Sequence, residues 1–474
     1  MSEDSNGKRV EFYGGIASVL IPMVVFLCLS IYLFMFKHAF DMTGLAMGAF
    51  LGLAIGALFC KNWNNYWDGV VHGVSSNLTG TVVTILMAAG IFSAMMRNGG
   101  VAEGLVWLGT KAAITGRVFC AFTFVASAVI ATATGTSIGT IFASVPVFFS
   151  AGVTLGADPS MLAGAILSGA IFGDNLAPVS DVTIISVSTQ RYRKKEGIAE
   201  IGGVVASRAK YSIAAGLLTI PFYLLGGGSN AVYATDAMMD SGGLVMLIPV
   251  AILIYVAIKT ENVFSATASG VISGIAVGLL AGRFAIQDIF SVTDGNIGGF
   301  LYSGINSMAG TILLCMSLFG VIGVLERSGA LEMLTERLRG TNIGSTPRGA
   351  ELTMGLGSLI CSFAFASVTS AALIMFGPIG DQIGGAAGIH PYRRSNIMSS
   401  LANSIPVVMP FSAFVFIVMA AVSSQQSGEA VTPFTLFYGT VYPWALFVVF
   451  SFCIVTGLGR QFEGEDGKPI KEAD

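Results

Sequence analysis

Residues Thr132–Asp181 read TATGTSIGTIFASVPVFFSAGVTLGADPSMLAGAILSGAIFGDNLAPVSD. The stretch is apolar enough to lie in a bilayer. Yet it opens with Thr134-Gly135-Thr136-Ser137 and closes with Gly173-Asp174-Asn175-Leu176-Ala177-Pro178-Val179-Ser180-Asp181. Glycine-broken, polar backbone at membrane depth is tolerated only where protein or a water-filled cavity covers it. Ionisable groups there are costly, so they mark an ion or solute site by default.

The rest of the chain supplies that membrane context. Of 474 residues, 54% are hydrophobic and 11% charged, against about 25% charged in soluble domains. The composition predicts an all-α polytopic membrane protein with the lipid bilayer as its surroundings. Sixty glycines agree with close helix packing. No basic stripe suggests nucleic acid, in keeping with a net charge of −3. Cys28, Cys60, Cys120, Cys315, Cys361 and Cys453 are scattered singly, and His38, His72 and His390 form no motif, so no cofactor is expected. The polar N-terminus lacks a cleavable signal pattern and predicts a membrane anchor at the first apolar run.

Spans of about 20 apolar residues are read at 14–36, 42–60, 79–97, 160–190, 211–227, 243–258, 263–282, 307–326, 392–423 and 434–457. Two longer apolar stretches, 117–154 and 352–387, break at Thr132–Thr140 and Ala366–Ser370. Each is expected to be a re-entrant hairpin of two half-length helices. Spans 160–190 and 392–423 contain Pro178 and Pro406/Pro410, which should unwind them. Nineteen of the 24 lysines and arginines fall on the side of the N-terminus, which predicts cytoplasmic N- and C-termini. The charge run 191–200 reads as a solvated cytoplasmic loop, and Trp63, Tyr66 and Trp67 as anchors of an interfacial helix.

The halves repeat. Pro146/Pro378, Pro159/Pro391 and Pro178/Pro410 share one offset of 232, as do Gly156/Gly388 and Ser168/Ser400. Each half has three spans, a hairpin and a broken span, and one extra span separates them, so the repeats should insert inverted. Inverted repeats with broken helices at matching places point to a secondary transporter with its site at the midplane. The expected division is 1–115 scaffold, 116–190 first transport half, 191–242 loop and linker helix, 243–350 scaffold, 351–423 second transport half and 424–474 last helix and tail. Glycines at 48, 52 and 56 and at 270, 274, 278 and 282 leave flat faces that suit either a homodimer interface or internal packing.

A hard cation such as Na⁺ takes carboxylate, amide, hydroxyl and freed carbonyl oxygens. The candidate cation site is therefore Thr134, Thr136, Ser137, Asp174, Asn175, Ser180 and Asp181, with Thr132 at the hairpin tip. Asp174 is the centre, since a carboxylate in an apolar setting can hold either a proton or a cation. Asp181 reads either as a ligand or as a helix cap. The second half offers Ser367, Thr369, Ser370, Asn403 and Ser404 and no acid, a set for a carboxylate-type solute, a second ion or structural closure. Gly135-Thr136-Ser137-Ile138-Gly139 matches a nucleophile-elbow pattern without a strand or histidine to support it. Asp381 and Glu326-Arg327 read as interfacial ion pairs.

With its G-T-S-x-G-T, S-G-A-x-F-G-D and S-D elements, Gly135–Asp181 resembles the NhaC-type sodium/proton antiporter family. That family belongs to a wider ion-transporter superfamily that also includes divalent-anion/sodium symporters. The resemblance implies an elevator mechanism, commonly in a homodimer, and ion binding at Thr136, Ser137, Asp174 and Asp181. Where members often carry Lys after Gly-Asp, this chain has Asn175.

The expected function is sodium-coupled secondary transport in the plasma (cell inner) membrane, first Na⁺/H⁺ antiport. The alternative is a Na⁺-coupled carrier of a small organic acid or amino acid. A membrane-embedded enzyme would need a His, Cys or paired-carboxylate constellation, which the sequence does not offer.

Overall fold

The computed structural model describes residues 9–33, 37, 42–229, 238–260, 262–293, 295–329, 346–423, 425 and 431–471. His38 and three residues of the charge count, Lys8, Arg337 and Arg339, lie outside these.

The chain is a helical bundle. The first part runs α1 (Ile21–Ile31), α2 (Met42–Leu58), α3 (Trp63–Val74), α4 (Asn77–Asn98) and α5 (Val101–Lys111). Then come α6 (Gly116–Thr134), α7 (Ser137–Thr154), α8 (Pro159–Leu176), α9 (Asp181–Ser188) and α10 (Ile201–Gly226). The second part has α11 (Leu247–Thr260), α12 (Val263–Leu280), α13 (Ile286–Ile289), α14 (Phe300–Ser328), α15 (Pro347–Ala364) and α16 (Thr369–Ala386). It ends with α17 (Pro391–Ala402), α18 (Ile405–Val408), α19 (Ala413–Ser423), α20 (Pro433–Gly439) and α21 (Val441–Thr456). Two short antiparallel pairs, Ser291–Thr293 with Asn296–Gly298 and Phe462–Glu463 with Pro469–Ile470, are the departure from an all-helical reading.

Among the described residues seven helices are long and apolar enough to cross a bilayer, or nine if each of two bent pairs is one span. The faces of α10 expose Leu217, Phe222 and Leu225, a surface suited to lipid. The molecule is a multi-pass membrane protein. Helices α1 and α2 have 11 and 17 residues, and the apolar part of α12 is Phe264–Leu280, so the long apolar helices are fewer than the ten full spans expected. Helix α10 begins at Ile201, not 211, and α5 was not anticipated. The last span is bent by 54° between Gly439 and Val441.

Both anticipated breaks are present. Helices α6 and α7 run antiparallel, Ser127 Oγ donating to Ser144 Oγ at 3.1 Å, and Gly116 abuts Gly156 at their far ends. Their arms have 19 and 18 residues, about 27 Å each at helical rise, and so are not half-length. Gly135 turns the tip at φ 69°. At the matching tip between α15 and α16 the left-handed positions are Ala366 and Ser367 (φ 48° and 71°), a strained choice for residues with a Cβ. Prolines 232 positions apart fall at corresponding places in these helices. Pro146 and Pro378 lie inside 18-residue α7 and α16, and Pro159 and Pro391 start α8 and α17. Asp158 and His390 cap those starts through their side chains.

Close backbone contact holds the layers. A Cβ at Gly169 or Gly173 would lie 2.4 Å from the carbonyl oxygens of Phe124 and Ala128 on α6. A Cβ at Gly304 would lie 2.6 Å from the Gly90 oxygen, where α14 crosses α4. The glycine faces of α2 and α12 are used within the chain: Gly52 and Gly56 meet Pro22, and Gly274 meets Met95. Helix α3 packs its Gly73 on the Phe319 carbonyl of α14; Tyr66 is buried and donates to the Leu53 carbonyl, while Trp63 is exposed.

Candidate transport site

Both tips and both breaks open on one cavity of about 380 Å³. Thr134, Thr136, Ser137, Asp174 and Asp181 line it from the first half, and Thr369 and Ser370 from the second. Opposite them stand Thr81 of α4, Asn262 and Phe264 of α12, and Cys315 and Phe319 of α14. None of these five was assigned to the site from the sequence, where Cys315 counted only as one of the scattered cysteines, because each is a single residue in or beside an ordinary apolar span. Asn262 alone left a trace, as a polar residue between two spans; it caps α12 by accepting from Ser265 N at 3.0 Å.

Ser137 is the first residue of α7, and its Oγ donates to Asp174 Oδ2 at 2.8 Å. Asp174 is 4% exposed, and its Oδ1 is buried with no hydrogen-bond partner. Thr136 caps α7 by accepting from Gly139 N at 3.3 Å. Thr134 and Thr140 bring their hydroxyls to 3.4 Å. Asp181 opens α9, whose N-cap is Ser180. The Asp181 carboxylate accepts a hydrogen bond from Ser370 Oγ on α16, so it joins the two halves as well as occupying a helix start.

Several expected residues face elsewhere. Thr132 bonds back to the Ala128 carbonyl at 2.7 Å. Asn175 points away from the cavity, donating to Ser212 Oγ at 2.9 Å and Tyr442 OH at 3.4 Å. Its position one residue past Asp174 turns it about 100° around α8. Ser180 is fully buried and does not line the cavity. In the second half Ser367 donates to the Pro406 carbonyl and Ser404 to the Leu401 carbonyl. Both hydroxyls are thus taken up by backbone carbonyls of α18 and α17. Asn403 stands behind the tip, its Oδ1 accepting from Thr369 Oγ1 at 2.7 Å.

Arg208 is the residue the sequence hid. It counted as a loop cation, but it lies in α10 and is fully buried. Its guanidinium donates to Thr183 Oγ1 on α9 and Ser399 Oγ on α17, each at 2.8 Å. Arg393 and Arg394, also counted as loop residues, are buried in α17. They pair with Glu351 at 2.9 Å and Asp381 at 2.5 Å. Asp381 also pairs with Arg193 at 2.6 Å, the structural role its sequence position suggested.

Residues 11–197 match the Na⁺/H⁺ antiporter family. Through this part the chain is similar to that family. The match spans α1 to α9 and ends before α10. An uncharacterised Na⁺/H⁺ antiporter of Haemophilus influenzae is 24% identical over 76% of this chain and 80% of its own. A malate-2H⁺/Na⁺-lactate antiporter of Bacillus subtilis is 26% identical over 67% of this chain and 70% of its own. The Na⁺/H⁺ antiporter NhaC of Alkalihalophilus pseudofirmus is 24% identical over 60% and 65%. The family and these relatives are transporters rather than enzymes, and the chain is a transporter of antiporter type.

Proposed function

We propose that the chain exchanges Na⁺ for H⁺ across the plasma (cell inner) membrane, with Asp174 as the shared binding group. One observation carries this: a buried carboxylate, oriented by Ser137 at a helix break, keeps one oxygen unpartnered beside a cavity. A carboxylate so placed binds either a proton or a cation, and exchange follows because both compete for one group. Thr134, Thr136 and Asp181 supply further oxygens along the same wall. The matched proline and tip positions support reading the halves as inverted repeats with re-entrant hairpins. The cavity lies between these tips and α4, α12 and α14, which favours an elevator in which the hairpins and broken helices move against those helices. Sixteen cationic residues against five on the other side, after removing buried Arg208, Arg393 and Arg394 from the nineteen, favour cytoplasmic termini. A homodimer remains part of the reading through the family.

Na⁺ alone needs far less than 380 Å³. The volume supports a second reading, Na⁺-coupled movement of a small organic solute through the same cavity. The malate-lactate relative exchanges such solutes by name. The experiment is flux in reconstituted vesicles. An imposed Na⁺ gradient should drive H⁺ movement without any organic solute, and Asp174→Asn should abolish it; Na⁺-driven flux intact in that variant overturns the assignment.

A further inference from the structure

Four helices begin at the cavity. Ser137 of α7, Asp181 of α9, Thr369 of α16 and Ala413 of α19 are the first residues of their helices, and all four line it. A helix N-terminus carries about half a positive charge and unsatisfied N–H groups. Two of the four are already answered within the first half: Thr136 caps α7, and α9 opens on its own Asp181. At α19, Ala413 N bonds the Ala366 carbonyl and Phe414 N the Ser412 hydroxyl. Helix α16, 18 residues long, starts with no side-chain cap, on Val368, Thr369 and Ser370.

Opposite charge stands directly beside it. Asp181 accepts from Ser370, the second residue of α16. Asp174 lines the same cavity, and its buried Oδ1 has no hydrogen-bond partner. No Lys, Arg or His lines the cavity among the described residues. Its remaining wall is apolar and aromatic, with Phe264, Phe319 and Phe414.

We infer that the cavity binds a zwitterionic α-amino acid with an apolar side chain, its ammonium on Asp181 and its carboxylate on the N-terminus of α16. The inference rests on the cavity being the transport site. A dicarboxylate would meet two acids and no cation. An amine alone would leave the start of α16 unanswered. An α-amino acid carries both charges a few ångströms apart, as the Asp181–Ser370 contact places their two receivers. The side chain then lies against the phenylalanines, and Asp174 with Ser137 stays available for Na⁺ or H⁺.

The test is uptake into vesicles containing the full-length protein under an inward Na⁺ gradient, with three matched probes. Leucine carries both charges, 3-methylbutylamine only the ammonium, and 4-methylpentanoate only the carboxylate. Leucine should accumulate, and each analogue should compete at least tenfold more weakly. Equal competition by either analogue overturns the two-charge assignment. Indifference to all three while Na⁺/H⁺ exchange proceeds overturns the inference and leaves the antiport reading standing. Leucine uptake without solute-free Na⁺/H⁺ exchange does the reverse. Asp181→Asn should abolish leucine uptake; wild-type leucine uptake in that variant removes the ammonium from Asp181.

Discussion

Ser137 Oγ donates to Asp174 Oδ2 at 2.8 Å, across a hairpin tip and a broken helix 37 positions apart in the chain. The bond fixes one carboxylate oxygen and leaves the other buried without a partner. Hydrogen bonds to a charged group contribute about 1.5–3 kcal/mol. Ser137→Ala should therefore raise the Na⁺ half-saturation concentration by about 10- to 100-fold while the protein still folds. Sodium titration of vesicle flux measures it, and an unchanged half-saturation would detach Ser137 from the site.

Asp181 and Ser370 tie the two halves at the cavity, so both should matter to coupling rather than to folding alone. Ser370→Ala removes the donor but keeps the carboxylate. Transport rate should fall while Asp174-dependent Na⁺ binding persists, read as a change in maximal flux with a smaller change in half-saturation. The opposite split would make Ser370 part of the ion site.

Arg208 is fully buried and ties α9 to α17, donating to Thr183, two residues past Asp181, and to Ser399. A fixed cation near a cation site opposes Na⁺. Arg208→Gln keeps donors toward Thr183 and Ser399 and removes the charge, so Na⁺ half-saturation should fall by on the order of fivefold. Arg208→Lys keeps the charge and should stay near the wild-type value. A purely structural arginine would give weaker Na⁺ binding in both variants.

The α4–α14 crossing depends on backbone contact between Gly90 and Gly304. Gly304→Leu must separate the helices, at a cost of about 1–3 kcal/mol for overpacking. Thermal unfolding in detergent should show a lower midpoint, whereas Gly202→Ala, where a Cβ meets nothing within 4 Å, should not.

At the end of the 191–200 loop, Glu200 accepts from Tyr192 at 2.5 Å, Tyr392 at 2.7 Å and Lys195 at 3.1 Å. Partial burial works against ionisation there, but the hydrogen bonds outweigh it and hold the carboxyl down at about 2. Because the folded value is depressed, the stabilisation is complete above the ordinary carboxylate range and is lost as pH falls toward 2. Hydrogen exchange of the loop amides should be flat in protection from pH 7 to 5. In Glu200→Gln it should be faster by up to about fivefold, the size of an exposed ion pair.

Local chemistry determined much of this protein. Apolar runs marked the spans. Glycine and proline marked the breaks at Gly135, Pro178 and Pro406, because those residues act on their own backbone. The 232-residue offset marked the matching halves. Buried oxygen-bearing side chains at membrane depth pointed to Asp174, Ser137 and Asp181 because such groups are too costly to place there idly. Tertiary structure decided what faces what. It turned Asn175 toward Tyr442 and Ser404 onto its own backbone, since one residue along a helix rotates a side chain about 100°. It buried Arg208 between α9 and α17, which no loop count could anticipate. It also brought Thr81, Asn262 and Phe319, individually unremarked in their spans, to the wall opposite the two tips. A cavity is a relation among distant segments, and its members carry no common local signal.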